Sequence, residues 1–342
     1  MEEKKDEFGS ILFNFLDCEN NCVFCGSKFK DKKKLFVTEK DEEILFNDTK
    51  HFIKNKVKKI DISGPEPLRY HNIIRYLKSI RPYFERITLL DPGNSLAEDG
   101  FARQLANTGI HNLVIPLYGT CSEVHDICVG NPGAFEKVVK GLKEYFIHKN
   151  ENQNVEISTI ILNQNKDDII NLPSFIKKNF NLNYLKVNLF LVTISQHEVF
   201  KDVFVSFEET KKIILNLSML DNFFFRFDYV PLCIFSEDQL NHFADRKSIA
   251  FFNRFYTYKL SKNQEQASAV EKKTWKEFVD EYRAQVYHSA CNECSLKNNQ
   301  LCSGVMKAYL HLNNNYEFSP ISESELKKLG HILINVNINQ DS

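Results

Sequence analysis

No apolar run in this chain approaches the roughly 20 residues that span a bilayer, so no membrane-crossing helix is expected. The opening residues, Met1-Glu2-Glu3-Lys4-Lys5-Asp6-Glu7, are charged where a secretory signal is apolar. Net charge is missing too: 44 Lys and Arg stand against 45 Asp and Glu, a formal charge of −1. That balance argues against a broad nucleic-acid-binding face. There is no internal repeat, which sets aside solenoids and propellers. Nine cysteines are an odd number, unsuited to a simple paired framework. The expectation is a cytoplasmic protein without a membrane association, in a compartment where structural disulfides are rare.

What is present is core-forming material. The 342 residues are 43% hydrophobic and include 29 Phe, enough for one large barrel or two ordinary domains. From Ile11 to about Leu217, short β-branched or aromatic runs alternate with helical periodicity. The predicted strands are Ile11–Leu16, Lys58–Ile62, Glu85–Leu90, Asn112–Pro116, Val155–Ile161 and Tyr184–Val192. Between them, Ile73, Ile74, Leu77 and Ile80 follow helical spacing, as do Phe135, Val138, Val139, Leu142 and Phe146. Phe207, Thr210, Ile214, Leu217 and Leu220 complete the series. Asp167-Asp168 is expected to open the fifth helix, where acidic side chains suit the positive end. This succession implies an α/β parallel sheet, doubly wound or a partial barrel, with ligands at the carboxyl ends of the strands.

The nine cysteines are clustered, which points to metal. Cys18-Glu-Asn-Asn-Cys22-Val-Phe-Cys25 follows the first strand directly. Three thiolates on one short loop can bind three irons of a cubane and leave the fourth open for chemistry. A structural zinc site would want a fourth protein ligand, and none lies close by in sequence. After the second strand comes Ile60-Asp-Ile-Ser63-Gly64-Pro65-Glu66-Pro67, a turn that exposes backbone carbonyls.

Cys18, Cys22, Phe24 and Cys25 together resemble the signature of the radical S-adenosylmethionine superfamily. The turn is similar to that family's Gly-Gly-Glu-Pro segment, with Pro65 in place of the second Gly. The resemblance covers essentially residues 11–220 and implies a partial (β/α)6 TIM-like barrel. It also implies a catalytic 4Fe–4S cluster on Cys18, Cys22 and Cys25, with S-adenosylmethionine on the open iron. Phe24, Gly64, Pro65, Glu66 and Pro67 are the expected cofactor-binding residues. The implied chemistry is reductive cleavage of the cofactor to a 5′-deoxyadenosyl radical, which abstracts hydrogen from a substrate. An electron donor such as a flavodoxin or ferredoxin is an expected partner.

Ile115-Pro-Leu-Tyr118-Gly119-Thr120-Cys121 follows the fourth strand and leads into His125-Asp126-Ile-Cys128-Val-Gly130-Asn-Pro-Gly133-Ala-Phe135. These elements resemble a loop of family members that carry extra C-terminal clusters. Cys121 or Cys128 could donate a hydrogen atom to a product radical, or both could be small buried residues. His125-Asp126 could orient substrate, or cap the loop.

After about Leu220 the pattern changes, and a smaller cysteine-rich α+β domain over 221–342 is expected beside a core over 8–220. Phe223–Tyr229 reads as an aromatic strand leading into Pro231-Leu-Cys233. A helix with Trp275, Phe278, Val279, Tyr282 and Val286 on one face delivers the chain to Cys291. Cys291-Asn-Glu-Cys294 is a metal-type pair, Cys302 extends it, and Cys233 is the natural fourth ligand, with His288 as the alternative. Four thiolates complete either a zinc site or a 4Fe–4S cluster. A domain in this place resembles the SPASM or twitch extensions, which implies one auxiliary 4Fe–4S cluster.

The function implied is an oxidoreductase or maturase acting on a peptide by crosslinking, epimerisation or oxidation. About ten residues precede the first strand, too few for a peptide-recognition domain at that end. A sugar, another small metabolite or RNA are the alternative substrates. A non-catalytic electron-transfer protein is the reading outside enzymes.

Overall fold

Eight short strands follow one another in sheet order as they do in sequence. They are β1 (Phe8–Leu12), β2 (Lys59–Ser63), β3 (Arg86–Leu90), β4 (Asn112–Pro116), β5 (Asn154–Ile161), β6 (Tyr184–Leu189), β7 (Phe224–Asp228) and β8 (Ile249–Phe252). The computed structural model of the chain describes residues 8–14, 16–25, 37–189, 200–252, 285–299, 301–302, 304–313 and 316–333. Registers from β1 to β4 and from β5 to β8 are parallel. Parallel neighbours need crossovers, and helices supply them. They are α1 (Glu39–Lys54), α2 (Ile73–Ile80), α3 (Phe101–Ala106), α4 (Ser122–Val129), α5 (Ala134–His148), α6 (Leu172–Phe180), α7 (Phe200–Val203), α8 (Phe207–Ser218) and α9 (Glu237–Ala244). This is an α/β fold of the partial TIM-like barrel type.

By packing, β1 to β4 with α1 to α5 and the start of β5 form one unit, and the rest of β5 onward forms another. In the first unit, α1 begins where Thr38 and Asp41 exchange side-chain and backbone hydrogen bonds, a capping box that satisfies two otherwise orphaned donors. In the second, Ser206 and Glu209 open α8 in the same way. Strand β5 shows the period of two that decides its faces: Val155, Ile157, Thr159 and Ile161 are buried and the residues between them are not.

Several elements differ from the sequence expectation. Strand β1 begins at Phe8 rather than Ile11, because Gly9 and Ser10 are buried in the sheet without carrying an apolar signal. Phe224–Asp228 joins the same sheet, and Ile249–Phe252 extends it. That four-residue run is too short and too evenly apolar to reveal a strand period. Asp168 does not cap a helix directly. Its carboxylate accepts from the Thr120 backbone N–H at 2.6 Å and the Thr120 hydroxyl at 2.9 Å. The end of the Tyr184–Val192 strand beyond Leu189 lies outside the described residues. So does the Trp275-bearing helix, except that its expected last residue, Val286, sits in the short strand β9 (Gln285–Val286), paired with β10 (Val305–Met306).

The second unit has an aromatic core. Phe225 and Phe227 stack at 5.8 Å, Phe227 meets Phe251 at 5.2 Å, and Phe243 meets both Phe251 and Phe235. Phe227 is fully buried, whereas Phe224, on the other face of β7, is 45% exposed. Phe227→Ala is therefore expected to cost about 3–5 kcal/mol, and Phe224→Ala about 0.5 kcal/mol or less. Chemical denaturation of the two variants measures the difference.

Candidate active site and metal centres

The loop from Cys18 to Cys25 has no helix or strand of its own. It leaves the sheet just after Phe13, whose N–H donates to the Ser63 carbonyl at 2.8 Å. Cys18, Cys22 and Cys25 are all half-buried, and the Cys25 N–H closes a turn onto the Cys22 carbonyl at 3.0 Å. Phe24 lies in that turn, also half-buried. Burial pushes the Cys18 thiol well above its ordinary value, and the Glu66 carboxylate adds to the effect. A thiolate placed here needs a cation beside it, which suits iron. Among the described residues no three His, Cys, Asp or Glu side chains converge on one metal ion. A cubane asks for a different arrangement, one thiolate at each of several corners, and three thiols on a single loop fit it.

The turn after β2 backs onto this loop. Gly64 has φ +147°, and a Cβ there would sit 3.0 Å from the Phe13 backbone, so the position suits only glycine. Pro67 opens a short 3-10 turn over Pro67–Arg69. Glu66 is fully buried, and its carboxylate accepts from the Glu19 N–H at 2.8 Å and from the Asn94 amide at 3.2 Å. Asn20 Oδ1 accepts from Asn94 Nδ2 at 3.0 Å and from Asn131 Nδ2 at 2.9 Å. Asp91 accepts from the Leu68 and Gly93 N–H groups. Burial, then the neighbouring Glu66, pushes its carboxyl up to about 7.

In the second unit the four C-terminal cysteines come together. Cys233 sits in the 3-10 turn Leu232–Ile234, and Cys291 in the turn Ser289–Glu293 that ends at Cys294. Cys302 accepts at its sulfur from the Gly304 N–H at 3.3 Å. All four line one small cavity walled by Leu232, Leu296, Val305 and Phe318. Burial pushes the Cys302 thiol up to about 11 and the Cys233 thiol further, with the other three thiols adding to the latter. His288 does not line the cavity. Its ring accepts from the Ala290 N–H and packs on Phe318 at 5.1 Å.

Residues 15–176 match the sequence model of the Radical SAM superfamily. That segment is similar to radical SAM domains. The chain is also similar to curated GTP 3′,8-cyclases. One, from Campylobacter jejuni subsp. jejuni serotype O:2, is 28% identical over 183 residues, 50% of this chain and 54% of the relative. Another, from Campylobacter jejuni subsp. doylei, is 28% identical over 165 residues, 47% and 49% of the two chains. The chain thus spans about half the length of the curated relatives it matches. Streptococcus suis SuiB bound to precursor peptide SuiA is similar in structure, with 17% identity and a TM-score of 0.47 over 61% of this chain and 44% of that one. At that score the likeness implies nothing about substrate.

Within that matched segment, the middle cysteines fall on and beside α4. Cys121 precedes the helix, and Cys128 is fully buried in its last turn. The last carbonyls of the helix are not left bare: Cys128 O accepts from Val23 N–H at 3.0 Å and Val129 O from Asn21 N–H at 2.8 Å. Asp126 accepts from the Gly133 and Phe135 N–H groups at 2.6 and 2.8 Å, which caps the start of α5. The capping reading of His125-Asp126 therefore describes its geometry. The residues that hold the cysteine loop, Asn20, Asn94, Gly130 and Asn131, carry no sequence signal for that role. Only Gly130 stands out, as part of the Gly-x2-Gly element.

His125 is buried against Phe135 at 5.9 Å, and burial lowers its pKa to about 4. The unfolded chain takes up a proton near 6.5 that the folded chain refuses until about 4. Stability is thus fully present above pH 6.5 and lost as pH falls through that window, by up to about 3 kcal/mol from this residue. Denaturation of wild type and His125→Phe at pH 7.5 and pH 5 measures it: the variant is expected to lose less stability on acidification.

Proposed function

We propose that this protein is a radical S-adenosylmethionine enzyme whose catalytic 4Fe–4S cluster is held by Cys18, Cys22 and Cys25. The observation that carries the reading is the half-buried thiol triplet on one loop, fastened to the turn after β2. Held by those three thiolates, a reduced cluster would supply the electron for cleavage of the S-adenosylmethionine sulfonium bond, and the cofactor would carry the hydrogen abstraction. The residues of the chain bind and orient. Gly64, Pro65 and Pro67 present backbone groups to the methionine end of the cofactor, and Phe24 borders the third thiol. Glu66 acts through the loop, since its carboxylate is already turned to Glu19 and Asn94.

The same reading places an auxiliary 4Fe–4S cluster on Cys233, Cys291, Cys294 and Cys302, in a SPASM- or twitch-like segment. Its support is the shared apolar cavity of those four side chains and the engagement of His288 elsewhere. Burial raises the Cys233, Cys291 and Cys302 thiols, so their protons would leave as metal binds.

A peptide is the proposed substrate, supported by the resemblance of this C-terminal thiol set to extensions of peptide-modifying family members. A nucleotide is the second reading. The names of the curated relatives favour it.

With dithionite and S-adenosylmethionine, the reconstituted protein is expected to form 5′-deoxyadenosine, and Cys22→Ala to form none. An unchanged rate in a fully reconstituted Cys22→Ala would falsify the central reading. In the same assay, a GTP-dependent rise in 5′-deoxyadenosine with a new nucleotide product selects the second substrate class over the first. For the auxiliary site, Cys233→Ala is expected to lower iron from roughly eight to roughly four per chain while cofactor cleavage persists. Wild-type iron content in that variant removes Cys233 as a ligand.

A further inference from the structure

The turn between α4 and α5, Cys128 to Gly133, has no role in the cofactor chemistry described above. Yet three hydrogen bonds join it to the cysteine loop. Two carbonyls at the end of α4 accept from the Asn21 and Val23 N–H groups. A helix leaves its last carbonyls without partners of its own, and a loop outside any sheet leaves its N–H groups likewise, so each satisfies the other. Asn131 adds a side-chain bond to Asn20 Oδ1 at 2.9 Å. Gly130 has φ +58°, and a Cβ there would stand 2.3 Å from the Asn21 carbonyl oxygen and 2.9 Å from its carbon. Those are backbone atoms, which cannot swing aside as a side chain would.

We propose that this turn is the clasp that sets the position of the cluster-bearing loop, with Gly130 and Asn131 as positioning residues. The proposal rests on Cys18, Cys22 and Cys25 being the cluster ligands. A methyl group at residue 130 pushes Asn21 away from α4, and with it the thiols on either side at Cys18 and Cys22. The neighbouring Gly133 provides a built-in control. It too has a positive φ, +85°, but a Cβ there meets nothing within 4 Å. Gly133→Ala therefore strains the same turn without touching the loop.

The test uses the full chain, reconstituted with iron and sulfide without oxygen. Added S-adenosylmethionine perturbs only a cluster with an open iron, so the change it makes in the reduced EPR spectrum reads the first site. Gly133→Ala is expected to keep wild-type iron and that spectral change, with a lower melting temperature. Gly130→Ala is expected to lose the change and about four irons per chain. Asn131→Asp is nearly isosteric but puts an acceptor against Asn20 Oδ1. It is expected to load iron and then yield it to a chelator roughly fivefold faster, the equivalent of one neutral hydrogen bond. Wild-type iron and EPR behaviour in Gly130→Ala overturns the proposal, as does equal loss in Gly133→Ala. Should Gly130→Ala not fold, an unchanged stripping rate in Asn131→Asp overturns it instead. A wild-type protein that takes up no cluster at the triplet sinks the parent assignment and leaves the clasp without an object.

Discussion

The thiols of the first site are only as well placed as the loop that carries them, and that loop cannot hold itself. Between Cys18 and Cys25, the Cys25 N–H closes a turn onto the Cys22 carbonyl and the Asn20 N–H bonds to the Cys18 sulfur. Further anchors come from outside: Ser63 at the root of the loop, Glu66 at Glu19, Asn94 and Asn131 at Asn20, and the end of α4 at Asn21 and Val23. Each of these bonds contributes about 1 kcal/mol singly. Together they leave few polar groups of the loop free to choose another conformation.

Three of the anchors sit at carboxyl ends of strands or just beyond them, which is where a parallel barrel gathers its ligands. Gly64 can end β2 against Phe13 because it lacks a side chain. Asp91, at the end of β3, organises the next turn by accepting from Leu68 and Gly93. The barrel thus provides rigid stems, and side chains from neighbouring stems meet over the cysteine loop.

The two thiol sets sit in different electrostatic settings. Cys18 is half-buried beside two carboxylates, Glu66 and Asp91, so negative charge is costly there without a cation. The C-terminal set has apolar walls, and its Cys233 thiol is raised by burial and by the other three thiols. In both, binding of a metal would be coupled to proton release. Neither environment resembles a convergent single-ion site, since among the described residues no three ligand-type side chains close on one centre.

Much of this was legible in the order of residues. The Cys-x3-Cys-x2-Cys spacing, the Gly64–Pro67 turn and the strand–helix alternation are local patterns, and local patterns survive in a one-dimensional record. The aromatic strand at Phe224–Asp228 was visible for the same reason. What holds the triplet was not. Asn131 and Asn20 are 111 residues apart, and nothing periodic connects them. Glu66 read as a cofactor contact, and that its carboxylate also accepts from the Glu19 N–H of the cysteine loop was not legible. Composition and spacing determined which groups the chain can offer a cluster. Only tertiary structure decided which backbone donors and acceptors were left over to be matched, and those matches place the thiols.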